Sequence, residues 1–134
     1  MKYFILYVLM TSALLVGCKK DKESPQTIVG GWELRSILGV QVAGTPSTYK
    51  AGNGNIIGFN NSEYQNIKDG KVISKKTYVI IKDAAEIDGT MYTDALKYND
   101  ERLKWHYKIT GDKLMLSIGS IASDGVTLTY QRLK

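Results

Sequence analysis

Cysteine and histidine are nearly missing from this chain of 134 residues, which holds one of each, Cys18 and His106. A single cysteine excludes an internal disulfide and a thiolate metal site, so a fold here must rest on its apolar core. A single histidine excludes a histidine-based metal centre, and it also excludes a serine–histidine dyad anywhere away from His106. No block of five or six like charges appears, and the formal net charge of +5 is modest and spread out. A nucleic-acid partner is therefore not expected. The chain also lacks a long helical pattern and a solenoid-type repeat. Gly52-Asn53-Gly54 does not follow a strand and open a helix, so it is no phosphate loop. Asp69, Asp88, Asp112 and Asp124 each sit beside a glycine for turn geometry, which leaves no carboxylate pair poised for acid–base work. The expectation is a protein that is not an enzyme, with no metal and no cofactor, and with His106 a solvated, outward-facing strand residue.

What is present begins at the first residues. Lys2 is followed by an apolar run from Tyr3 to Val16, broken only by Thr11 and Ser12, and the chain turns polar at Lys19-Lys20-Asp21-Lys22-Glu23. A basic start, an apolar stretch and small residues before a cleavage point are the parts of a secretory signal, assigned here to residues 1–17. The stretch is short of the roughly 20 apolar residues that a membrane-crossing helix needs. Leu15-Val16-Gly17-Cys18 resembles the lipobox of bacterial lipoproteins. That resemblance implies that Cys18 is acylated and becomes the N-terminus of the mature protein, anchoring it to a membrane. Residues 18–27 have many charges and little to bury, and are expected to be a flexible tether. Lysines and then acidic residues after the cysteine resemble the surface-export signal of Bacteroidetes lipoproteins. The location implied is the outer membrane, with the periplasmic face and the cell surface both open.

Residues 28–134 read as one domain. Asn53-Gly54, Asp69-Gly70, Asp88-Gly89, Gly111-Asp112 and Asp124-Gly125 are hairpin-type dipeptides. Weaker turns fall at Asn60-Asn61-Ser62, Lys82-Asp83, Asn99-Asp100 and Gly119-Ser120. Between them the chain alternates with a period of two. Leu103, Trp105, Tyr107 and Ile109 share one face, with Lys104, His106, Lys108 and Thr110 on the other, one toward a core and the other toward water. Leu114, Leu116 and Ile118 repeat the pattern, as do Val126, Leu128 and Tyr130. Tyr78-Val79-Ile80-Ile81 is apolar on both faces, as an enclosed strand would be. The segmentation gives eight or nine strands: 31–38, 54–59, 63–68, 72–82, 84–88, 90–98, 101–110, 113–119 and 126–133. This is an all-β, antiparallel up-and-down meander. Closing it into a barrel removes its exposed edges.

Gly30-Gly31-Trp32 opens the first strand, and a Gly-x-Trp there resembles the lipocalin signature, supplied by Gly30 and Trp32. The closing Tyr130-Gln131-Arg132, after Ile109-Thr110-Gly111-Asp112-Lys113-Leu114-Met115-Leu116, is similar to the last hairpin of Bacteroidetes lipocalin-like lipoproteins. Thr93-Asp94-Ala95-Leu96-Lys97-Tyr98 loosely echoes the family's middle motif. The resemblance implies a lipocalin or calycin-like barrel in which Arg132 packs across the Trp32 ring and closes one end, a contact worth about 0.5–2 kcal/mol.

Two functions stay open at this point. In one, a monomeric barrel takes a small apolar or amphipathic molecule, with Phe59, Tyr78, Trp105, Tyr107 and Tyr130 as its walls. In the other, the interior is packed shut and rim loops bind a macromolecule, as barrel-shaped inhibitors do. The long loop from Gly39 to Gly54 would serve either, as a lid or as a contact surface. An apolar cavity of about 300 Å³ or more would favour the ligand.

Overall fold

The computed structural model describes residues 27–40 and 42–134. The signal segment 1–17, Cys18 and the tether as far as residue 26 lie outside the described residues. Among the described residues the architecture is the expected all-β meander: eight antiparallel strands in sequence order, with the first paired to the last so that the sheet closes into a barrel. They are β1 (Gly30–Leu38), β2 (Asn55–Phe59), β3 (Glu63–Lys68), β4 (Lys71–Ile87), β5 (Thr90–Tyr98), β6 (Lys104–Thr110), β7 (Lys113–Ile118) and β8 (Val126–Arg132). A single 3-10 turn, Ile121–Ser123, lies between β7 and β8.

The hairpins follow from local chemistry. Asp69-Gly70 joins the paired residues Lys68 and Lys71, and Asp88-Gly89 joins Ile87 and Thr90. All four turn residues have positive φ, between 48° and 78°. That is the two-residue turn whose twist matches the flanking strands, and Asp-Gly is among the sequences that adopt it most readily. The alternating apolar side of each strand then meets in the middle. Trp32, Leu34, Ile57, Phe59, Tyr78, Leu96, Tyr98, Leu114, Leu116 and Tyr130 form one buried cluster.

The strand count depends on Lys82-Asp83, which was expected to be a turn and is not one. β4 runs through it, and its pairing with β5 slips between Lys82 and Ala85 as a β-bulge. A bulge absorbs an extra residue and bends the strand without ending it. Beyond the bulge the β4–β5 hairpin is tied to the other side of the sheet. The Asp88 carboxylate accepts from the Ser120 hydroxyl at 2.5 Å and the Ile121 amide at 3.0 Å. Its anchoring to these two donors holds the carboxyl below the usual aspartate range.

This docking buries part of the outer face, which alternation alone assigns to water. Ala95, His106, Ser117 and Thr127 pair in one row across β5 to β8. Ala95 and Ser117 are fully buried and Thr127 nearly so, and Tyr92 from the hairpin lies with its ring 6.1 Å from that of His106. The Ser117 and Thr127 hydroxyls bond to each other at 3.0 Å, which satisfies both in this dry spot. His106 is therefore not the solvated residue that was expected. Its side chain is 14% exposed, and Nε2 lies 3.0 Å from an Asp83 oxygen that also meets Lys104 at 2.6 Å.

Two further expectations are corrected. Leu103 does not continue the inward face of β6; it precedes the strand and is 62% exposed. Of Tyr78-Val79-Ile80-Ile81 only Tyr78 is enclosed, while Val79 and Ile80 are 57% and 47% exposed. The reason is register. β3 pairs with β4 only as far as Thr77, so beyond it β4 has β5 as its one strand neighbour.

The long loop also has a structural task. β2 pairs with only Gly30–Glu33 of β1, which leaves the upper part of β1 without a partner on that side. The loop returns along it: the Ile37 amide donates to Ser47, the Tyr49 amide donates to Arg35, and Ser36 and Thr48 form an isolated bridge. From Ser47 onward the loop thus completes the sheet, while Val42–Pro46 stay exposed.

Candidate functional site

The barrel has one end closed by a compact set of contacts. Trp32 is fully buried, and the Arg132 guanidinium lies 4.0 Å from its ring centroid. The two residues are directly paired between β1 and β8. The indole Nε1–H donates to the Ile28 carbonyl at 2.8 Å, while Arg132 donates to the Val29 and Thr27 carbonyls at 3.0 and 2.6 Å. Asp112 stands 4.0 Å from Arg132 Nε. Gly30 is required twice over: its φ is +128°, and a Cβ there would come within 3.2 Å of the Arg132 guanidinium. Gly30, Trp32 and Arg132, taken from opposite ends of the sequence, meet at one place.

Further into the barrel is a cavity of about 160 Å³. Its apolar side is made by Leu116, Leu128 and Trp105, and its polar side by Asn66, Ser74 and the Lys76–Glu101 pair. Tyr64, Tyr98 and Tyr130 complete the lining. Lys76 Nζ is 2.6 Å from Glu101 and 3.2 Å from Asp100, and it lies 5.7 Å from the Tyr98 ring centroid. Hydrogen bonding to Glu101 raises the Lys76 pKa, so the ammonium is charged at every physiological pH. The other Glu101 oxygen accepts from the Trp105 indole at 3.1 Å. Burial pushes the phenols of Tyr64, Tyr98 and Tyr130 above their ordinary range, so they enter the cavity as neutral hydroxyls.

Of the five expected wall residues, Trp105 and Tyr130 line this cavity. Phe59 and Tyr78 do not; they pack edge to face at 5.2 Å, and the Tyr78 hydroxyl donates to the Asn60 carbonyl. Tyr107 is also absent from the lining and borders a separate pocket with Met91 and Ile109. The cavity residues that the strand pattern left unmarked are Tyr64, Asn66, Ser74, Lys76, Tyr98 and Glu101. Tyr64 and Lys76 sit on strands whose inward face is polar, so alternation gives them no apolar signature, and Glu101 lies in a turn.

Among the described residues no group of three or more His, Cys, Asp or Glu is placed to hold a metal ion. Searches of protein-family models, of curated proteins and of solved structures return no match for the chain.

Proposed function

We propose that this chain is a membrane-anchored lipoprotein whose lipocalin-like barrel is a non-catalytic binding module for a small amphipathic molecule held in the interior cavity. The observation that carries the ligand reading is a cavity with an apolar wall, a polar wall and two deeply buried tyrosines, Tyr98 and Tyr130. Its size sets the scale of the occupant. Sites for drug-sized ligands span about 300–1,000 Å³, whereas an engineered cavity of about 150 Å³ takes a single benzene. At about 160 Å³ the cavity encloses one ring or a short segment of a ligand, and a longer molecule would have to extend out of its mouth. The contact of Trp32 with Arg132 supports the lipocalin-like assignment. Native mass spectrometry of protein purified from its own host tests the ligand: a retained mass of one small molecule supports this reading.

The small cavity also favours the second reading, a barrel that binds a macromolecule through its rim. Val42 and Val40, 66% and 40% exposed, put apolar side chains on the long loop, where a partner could bury them. A host-purified protein that carries no small molecule but co-purifies stoichiometrically with another protein would move the assignment there.

The anchor rests on Cys18, and the proposed location is the outer membrane, on its periplasmic face or at the cell surface. Cys18→Ala is expected to give an unlipidated form. Metabolic labelling with a palmitate analogue should mark the wild type and not the variant. Equal labelling of both would remove the lipoprotein reading.

A further inference from the structure

The cavity also restricts the chemistry of what it can hold. Tyr98 and Tyr130 are 5% and 7% exposed. Neither hydroxyl makes a hydrogen bond to any described residue, although Tyr78, close by, has its own hydroxyl bonded to a carbonyl. The rings are buried, but the hydroxyls open onto the cavity, where water or the hydroxyl of a bound molecule can pair with them. Each can donate one hydrogen bond and accept others.

The charges at the cavity give the second restriction. Lys76 is the one cation among the lining residues, and it is already held by Glu101 and Asp100. An anionic ligand would have to displace two carboxylates to reach it. Glu101 in turn accepts from Lys76 on one oxygen and from the Trp105 indole on the other, so a cationic ligand would have to compete with both. Lys76 with its two carboxylates carries one negative charge in excess, which disfavours an anion further. What stays open is hydroxyl chemistry beside Leu116, Leu128 and Trp105, in a space the size of one six-membered ring.

We infer that the cavity takes an uncharged, hydroxylated six-membered ring, from a monosaccharide or a simple phenol, whose hydroxyls pair with those of Tyr98 and Tyr130. This rests on the ligand-binding reading above and excludes the carboxylate-bearing lipids that a barrel interior would otherwise suggest.

The test uses the full chain in detergent, with ligand-observed NMR and thermal unfolding, against phenol, D-glucose and benzoate, together with Tyr98→Phe and Tyr130→Phe. Either phenol or D-glucose is expected to bind, and which one does separates the two sources. Benzoate, a ring of similar size with a negative charge, should bind at least tenfold more weakly. Each tyrosine variant should weaken binding about tenfold, the value of one hydrogen bond at the upper end of its usual range. Neither should lower the melting temperature of the free protein, because the hydroxyl it removes is bonded to nothing in the fold. Benzoate binding as well as the neutral rings would overturn the chemical class while leaving the cavity a ligand site. No binding of any of the three would remove the cavity as a small-ring site. A marked loss of stability in both variants would show that the hydroxyls serve the fold, and the inference would fail.

Discussion

Replacing Trp32 with alanine is expected to lower the stability of the barrel by about 3–5 kcal/mol, the usual result of emptying a large buried aromatic site. Trp32 has no exposed surface, and its removal also strips the Ile28 carbonyl of the indole N–H and the Arg132 guanidinium of its ring. Arg132→Ala should cost about 2–4 kcal/mol, since it loses the ring contact and donors to two carbonyls. The losses should fall short of additive by about 1–2 kcal/mol, because each single change already removes the shared contact. Urea unfolding of the wild type, both single variants and the double variant completes the cycle. Simple additivity would mean that the guanidinium does nothing for the tryptophan. The closed end would then be two independent pieces, and the lipocalin-like assignment would lose its main support.

Those two residues were legible in the sequence because they belong to short patterns at fixed places. The same holds for the Asp-Gly turns, where backbone conformation is decided by the two residues themselves. Legibility fails where an outcome depends on residues far along the chain. Lys82-Asp83 has turn composition, yet Asp83 is placed by Lys104 and His106, about twenty residues away, and the strand only bulges. His106 has polar neighbours and the parity of a solvated residue, but the β4–β5 hairpin arrives over its row and covers it. Ile80 has the composition of a core residue and stays exposed because β3 ends its pairing too early to cover it. The cavity was half legible. Trp105 and Tyr130 follow from alternation, whereas Lys76 faces inward on a strand with charged and polar neighbours and is balanced by a turn residue that only the closed barrel brings to it.

Glu33 gives a second large effect, one that depends on pH. It lies between Trp32 and Leu34 on the outward side of β1, where alternation expects water, yet only 4% of it is exposed. The returning loop covers it and supplies its partners: the Gly52 and Gly54 amides donate to it at 3.1 and 3.4 Å, and Arg35 sits 2.5 Å away. The Arg35 hydrogen bond is the main cause holding its carboxyl below the ordinary glutamate range, against the opposing pull of burial, and the two amides add to it. Glu33→Ala should therefore cost about 2 kcal/mol at neutral pH, because two part-buried amides lose a charged acceptor while Arg35, 27% exposed, turns to water. Glu33→Gln keeps the shape and one acceptor, and isolates the charge. The folded-state pKa lies below the unfolded value of about 4.3, so the charge stabilises the fold fully above that value. The contribution is lost as pH falls through the lower, folded-state pKa. The gap in unfolding free energy between wild type and Glu33→Gln should thus be widest near pH 7 and shrink progressively below about pH 4. Denaturant unfolding of both proteins from pH 7 down to pH 3 measures it. A gap that stays constant across that range would mean that shape, not charge, ties the long loop to β1, and the loop would then hold equally well around a neutral side chain.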